Sequence, residues 1–427
     1  MKTTKSPTAE QVLELFPASA ALDRTGALTV GGVPLSVIAD RYGTPAYVVD
    51  VAEFRAYAGA LREGLAARWP DSEVLFASKA FPAVAIYELA LECGLSLDVS
   101  GGGEILMALA AGADPGQLYF HGNAKSQAEL ELALKHRVGT IIIDNSDELE
   151  RLLKLADHPQ QVMVRVIPEI APDTHPSQST GGRDSKFGLP FDQALAVIER
   201  IEASQYLQLS GVHLHIGSQI LESAPFAEAV RRVAELGSFP CYDIGGGLGA
   251  RYTFDEQPPS VDEYLDAITE AARAVLPATA KLLIEPGRSV VARAGLSLYR
   301  VISVKRTGRT FVAVDGGMAD NLDPALTGQR YEATIVSKSA RNPDQLCDLV
   351  GRQCESGDLI VRDVMLADPQ PDDLLAIPVT GAYSYSMVNH YNGAPIPPVV
   401  FVENGQSRLA VRRESYEDML RTHVPRV

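Results

Sequence analysis

Between Pro45 and about Arg288 the chain alternates short apolar, β-prone runs with longer amphipathic stretches, at spacings of ~20–35 residues. After an opening run AYVVD (46–50) come eight strand-like runs: EVLFASK (73–79), LSLDVS (95–100), LYFHG (118–122), TIIID (140–144), VMVRVIP (162–168), SGVHLHIG (210–217), CYDIGGG (241–247) and KLLIEPG (281–287). Stretches between them, such as AVAIYELALECG and FAEAVRRVAELG, repeat apolar residues at helical spacing. Eight parallel strands with eight crossovers predict a closed (β/α)8 TIM-type barrel whose active site lies at the C-terminal strand ends. From about Val290 the texture changes. SLYRVISVKRTG, TFVAVDGG, DLIVRDVML and RLAVRRE alternate apolar and polar residues between Gly, Pro and Asp, as antiparallel strands do. The expected fold is therefore α/β, with a barrel over 45–290. A mostly antiparallel β-sheet or β-barrel domain follows, built from 291–427 with the N-terminal 1–44.

Charge and cysteine usage exclude several function classes. Thirty-eight basic against 54 acidic residues give a net charge of −16, which disfavours nucleic-acid or membrane-surface binding. The four cysteines (Cys93, Cys241, Cys347, Cys354) include no CxxC pair and are too few for a disulfide framework. The opening MKTTKSPTAEQVLELF makes a poor signal peptide, and no apolar run approaches the ~18 residues of a membrane span. A cytoplasmic metabolic enzyme acting on a small molecule is expected.

Four segments carry chemistry, each where a strand-like run stops: FASKA with Lys79, HLHIGS (213–218), DIGGG (243–247) and EPGR (285–288). Together they suit pyridoxal phosphate. Lys79 is an amine for its aldehyde. Gly245, Gly246 and Gly247 offer backbone N–H groups for its phosphate, and Glu285 an anion for its ring nitrogen. Taken singly, each has a plainer reading. A strand-end lysine usually reaches solvent, a glycine triplet is often only a turn, and Glu285 with Arg288 could be a surface pair. His213 and His215 share one face of a strand. Such an HxH pair also occurs in metal-dependent hydrolases, and His213 is equally well read as a hydrogen-bonded core histidine.

FASKA, DVSGGGE, HGNAKS, STGGRDSKFGL, GVHLHIGSQI, DIGGGLG, EPGRS, VDGGM, CESGD and GAYSYSM followed by YN resemble, in order, the diaminopimelate decarboxylase family. These are pyridoxal-phosphate enzymes of the alanine-racemase-like fold. The resemblance implies that Lys79 holds the cofactor covalently, His215 stacks on its ring, and Ser218 and Tyr383 contact its phosphate. His121 falls in the cofactor's vicinity, and Arg288 binds the phosphate or a substrate carboxylate. Cys354 returns a proton to the α-carbon, Glu355 and Tyr383 bind substrate, and Asp358 borders the site. Cys354 and Glu355 serve the neighbouring subunit, which implies a homodimer.

One stretch departs from the family. Where its members carry an arginine before Pro-Ala-Leu and a tyrosine just after it, this chain reads DNLDPALTGQRY, with Asp323 and Thr327 in those places. An anion there would repel a distal carboxylate. The reading that follows is a decarboxylase for a substrate with a neutral or cationic far end, or for a derivatised amino acid. Diaminopimelate itself is the alternative, held through Arg183, Arg288 or Arg330. An amino-acid racemase or a cofactor-binding pseudoenzyme are remoter readings.

Overall fold

The computed structural model describes residues 7–170, 181–182 and 185–424. The chain divides into two compact units. One comprises Arg55–Gly249 and Pro258–Val290, the other Met1–Phe54, Ala250–Gln257 and Val291–Val427.

The first unit is a closed barrel of eight parallel strands. We number them β1 (Ser72–Ala77), β2 (Ser96–Val99), β3 (Leu118–Phe120), β4 (Thr140–Ile143), β5 (Gln160–Arg165), β6 (Leu207–His213), β7 (Cys241–Asp243) and β8 (Lys281–Ile284). They pair in sequence order and close β8 onto β1, so the expected barrel is present. The crossover helices start and stop on local signals. Ser126 and Glu129 form a capping box ahead of Gln127–His136, Ser260 and Glu263 do the same for Val261–Val275, and Asn145 caps Ser146–Leu155.

Inside the barrel, Leu75, Tyr119, Ile142, Met163, Cys241 and Leu283 pack into one buried layer. Below it Glu73 accepts from Tyr119 (3.0 Å), Ser96 and Lys281. Above it the interior changes character. Strand residues two apart share a face, and the next inward position on each strand is ionisable except on β1. These positions are Asp98, His121, Asp144, Arg165, His213, Asp243 and Glu285, all buried.

The second unit carries a small three-stranded antiparallel sheet from the N-terminal segment (Ala21–Leu22, Leu28–Val30 and Val33–Pro34) and is built on a nine-stranded, mostly antiparallel sheet. The run AYVVD, expected at the head of the barrel domain, belongs here. Ala46–Asp50 is antiparallel to Gly295–Arg306 and parallel to Val399–Glu403. All five of its residues are buried, so it needs partners on both edges, which a central position in this sheet supplies. Segment 250–257 joins this unit as well. No helix among the described residues is long and apolar enough to cross a membrane.

Candidate active site

The C-terminal mouth of the barrel gathers most of the residues singled out from sequence. Lys79 lies in the one-turn helix Ser78–Ala80 just past β1, its Nζ 3.9 Å from Asp98 Oδ2. Glu285 follows β8. His213 Nε2 is 3.3 Å from its Oε2, and His121 Nε2 is 2.9 Å from its Oε1. The two imidazoles meet edge to face, with centroids 4.8 Å apart. Burial outweighs the facing Glu285 carboxylate and pushes His213 down to about 3, so its ring is neutral. With Nε2 turned to the carboxylate, that nitrogen carries the hydrogen. Burial works to raise the Glu285 pKa, yet the facing His121 and His213 outweigh it and hold the group well below the carboxylate range. Glu285 is thus an ionised carboxylate in the barrel floor.

His215, half-buried two residues beyond His213, has a different task. Its Nδ1 accepts from the Gly246 N–H at 3.1 Å, which leaves any hydrogen on Nε2. Burial first, then the charges of Lys79 and Arg165, hold its pKa well below the imidazole value. A neutral ring with a fixed tilt stands beside the glycine triplet. His213 and His215 therefore do not form a ligand pair. His121, His213 and Glu285 come within 4.8 Å of one another, but each imidazole faces one oxygen of the same carboxylate. We assign this cluster no metal.

The triplet itself is built for close approach. A Cβ on Gly245 (φ +71°) would lie 2.4 Å from the Leu214 carbonyl oxygen, on Gly246 2.1 Å from that of Glu285, and on Gly247 (φ +119°) 2.5 Å from that of Gly217. Nearby, Arg288 donates to Ser218 Oγ through Nε (3.3 Å) and Nη2 (3.2 Å).

Several atoms of this floor are buried without a hydrogen bond: both oxygens of Asp98, Asp243 Oδ2 and Glu285 Oε1. Glu285 Oε1 lies 2.9 Å from His121 Nε2 without a well-aligned hydrogen bond, and a buried, ionised carboxylate so placed can accept from a cationic N–H donor. The layer holds four carboxyl groups, the one guanidinium of Arg165 and, just above, Lys79. The residues present fit pyridoxal phosphate, which carries a ring N–H⁺ of the kind Glu285 could accept from, an aldehyde of the kind an amine such as Lys79 could hold, and a dianion suited to a glycine turn and an arginine.

Four members of the layer, Asp98, Asp144, Arg165 and Asp243, were not singled out as site residues. Stepping two residues forward from the apolar interior positions finds each of them. That signal is readable only once the inward face of every strand is known.

The remaining sequence-derived positions lie in the β-sheet unit. Cys354 is exposed, and its N–H donates to Asn392 Oδ1 at 2.7 Å. Glu355 accepts from the Tyr391 hydroxyl at 3.4 Å. Asp358 accepts from the N–H groups of Met318 (2.7 Å) and Gln353 (2.8 Å), which ties the VDGGM and CESGD loops together. Tyr383 holds a left-handed φ of +65°, uncommon for an aromatic residue. Asp323, expected to present an anion to substrate, is only 2% exposed. It accepts from the hydroxyls of Thr327 (2.9 Å) and Tyr331 (3.1 Å). Arg330 pairs with Asp255 at 3.0 Å, and Arg183 lies outside the described residues.

The pyridoxal-binding domain of pyridoxal-dependent decarboxylases matches residues 54–292, more than half of the chain. Diaminopimelate decarboxylase of Bacillus subtilis is 43% identical, covering 94% of this chain and 96% of its own. That of Actinosynnema pretiosum is 42% identical, covering 98% and 97%. Among solved structures, Helicobacter pylori diaminopimelate decarboxylase complexed with L-lysine superposes with a TM-score of 0.85. It is 30% identical and covers 91% of this chain and 98% of its own. A barrel with a lysine, a buried ionised carboxylate and a glycine cradle at its mouth, matched over nearly its full length, is a carbon–carbon lyase acting on an amino acid with pyridoxal phosphate. The chain belongs to the diaminopimelate decarboxylase family of pyridoxal-dependent decarboxylases.

Proposed function

We propose that this chain decarboxylates meso-diaminopimelate, releasing CO₂ and leaving lysine. The observation that carries the substrate is the likeness to two diaminopimelate decarboxylases at 43% and 42% identity, across both structural units. Burial of Asp323 against Thr327 and Tyr331 supports it, because the carboxylate is occupied inside its own unit. The expectation of a changed substrate rests on Asp323 and Thr327 standing where the family carries its arginine and tyrosine.

Pyridoxal phosphate, when bound, supplies the conjugated ring that takes up the electron pair left as the carboxylate departs. In our reading Lys79 would hold the cofactor covalently through its aldehyde. Glu285, ionised between His121 and His213, would hold the ring nitrogen's proton, and His215 would stack on the ring. The N–H groups of Gly245–Gly247, with Ser218, Arg288 and Tyr383, receive the phosphate. Cys354 returns a proton to the α-carbon, and Glu355 and Tyr383 bind substrate. Arg288 is the described cation best placed in the barrel mouth for a substrate carboxylate. By the same resemblance Cys354 and Glu355 serve a second subunit, so the working form is a homodimer, and the compartment is the cytoplasm.

The test is CO₂ release by purified holoenzyme from meso-diaminopimelate and a panel of other amino acids. Efficient turnover of meso-diaminopimelate, abolished by Lys79→Ala, supports the proposal. A second reading, a substrate with an altered far end, draws on the DNLDPALT text alone. It replaces the first if kcat/KM on meso-diaminopimelate falls ~100-fold or more below that on another amino acid, a difference of ~3 kcal/mol. Mixing Lys79→Ala with Cys354→Ala protein should restore activity if sites are shared between subunits. A fully active monomer would overturn that part.

A further inference from the structure

Asp243 stands between the glycine triplet, which its side chain holds directly, and the strand end that carries Glu285. It closes β7 immediately before the glycine triplet and is fully buried. Its Oδ1 accepts from the Gly245 N–H at 2.9 Å, and Gly245 returns the connection by accepting from the Glu285 N–H at 2.9 Å. Its Oδ2 receives no hydrogen bond. Asp243 and Glu285 face inward from neighbouring strands of the same buried layer, Asp243 standing in register with Leu283 two residues before Glu285, so the two carboxyl groups are neighbours and Glu285 acts to raise the Asp243 pKa. Two buried carboxylates cannot share such a position while both are ionised. One of them keeps a proton, and the environment selects which. Glu285 faces two imidazoles, whereas the Asp243 side chain has a single backbone donor.

We propose that Asp243 is a positioning residue that stays protonated and donates its hydrogen bond to Glu285, locking the glycine cradle to the carboxylate that receives the ring nitrogen. The proposal rests on the cofactor placement given above. Burial raises the Asp243 pKa well above the carboxylate range, and the adjacent Glu285 pushes it the same way. The other groups around it are consistent with that state. Asp98 adds negative charge, and His213, its register partner on β6, is neutral. Cys241, Tyr119 and Tyr264 are buried and un-ionised, their pKa values all raised. Arg165 is the one cation of the layer, and it also serves Asp144 and Asp98. With its proton in place, Asp243 gives Glu285 a neutral donor and adds no second negative charge.

A neutral donor is mimicked by an amide, and that gives the test. Apo protein of wild type, Asp243→Asn and Asp243→Ala would be titrated with pyridoxal phosphate and read by the bound cofactor's visible absorption between pH 6 and 9. Asp243→Asn should keep affinity within about threefold and leave the spectral pH profile unchanged. Asp243→Ala should lose about tenfold or more, because Glu285 is left a donor short. Equal losses in both variants, or a shift of the profile by about one pH unit in Asp243→Asn, would mean that Asp243 is an anion and would overturn the proposal. The Asp243→Asn arm decides the matter even if Asp243→Ala does not fold. A cofactor-free arm separates this idea from the placement it rests on. Infrared spectra of apo wild type, labelled with ¹³C-aspartate, should show at neutral pH a protonated-carboxyl C=O band that Asp243→Asn removes. Absence of that band sinks the proposal, whereas its presence in a protein that binds no pyridoxal phosphate sinks the placement instead.

Discussion

Two glycine triplets occur in this chain, 101–103 and 245–247, and the same substitution should act on them with opposite sign. In Gly246→Ala the new Cβ would sit 2.1 Å from the Glu285 carbonyl oxygen, where real Cβ contacts essentially never fall under 3.0 Å. Backbone must therefore move by 3.0 − 2.1, about 0.9 Å, at the seam between β7 and β8. Overpacking of this kind costs about 1–3 kcal/mol, and the Glu285 N–H to Gly245 bond stretched by the movement about 1 more. The sum, about 2–4 kcal/mol, should lower Tm by about 5–15 °C in a unit of this size. Because Glu285 and the cradle both shift, affinity for pyridoxal phosphate should fall about tenfold or more. Gly103, in the first turn of the helix Gly102–Ala110, has nothing within 4 Å of its Cβ position. Gly103→Ala should therefore leave cofactor affinity alone and raise stability by about 0.5–1 kcal/mol through helix propensity. Thermal melts of apo protein and cofactor titrations read both effects. A Gly246→Ala protein that melts and binds like wild type would refute the steric reasoning. One that is destabilised but binds normally would remove the triplet from the phosphate site.

Two further outcomes follow from buried charges. Lys125, matched in HGNAKS, is buried and spends all three hydrogens, on Glu148 (2.8 Å), Gly122 O (2.8 Å) and Ile142 O (2.6 Å). Lys125→Met should cost about 3–5 kcal/mol, and adding Glu148→Leu should recover part of it, since the worst consequence is an unpaired buried carboxylate; strict additivity in denaturant melts would refute the pairing. In the β-sheet unit burial pushes Asp320 up to about 7, although Tyr299 and Gly317 donate to it. The native state then holds a proton that the unfolded chain releases near its ordinary value of 3.8. Its stabilising share is complete below that value and is lost as pH rises through about 7. Any stability deficit of Asp320→Asn at pH 5.5 should accordingly narrow by about 1–3 kcal/mol at pH 8, and a constant difference would refute the shift.

The strand rhythm, the separate β unit and the residues closing the barrel strands were all legible in the sequence. Period and turn chemistry are local properties, and a parallel barrel imposes them on each βα unit independently. Lys79, His215, the glycine triplet and Glu285 could be found because each follows an apolar run that ends at the mouth. AYVVD could not be assigned this way: a run buried on both faces looks the same in a barrel and in the centre of a mixed sheet, and only its partners, Gly295–Arg306 and Val399–Glu403, decide between them. Asp323 shows the same limit from the other side. Its charge is written in the sequence, but its burial against Thr327 and Tyr331 depends on a fold that brings those hydroxyls to it. Likewise Asp98, His121, His213, Asp243 and Glu285 come from five different strands, and no sequence spacing makes them one cluster. Closure of the barrel puts them in one layer, where burial and mutual charge settle which carboxyl is ionised and which keeps its proton. A sequence names the groups that can titrate; the distances among them, which set their charges, exist only in the folded chain.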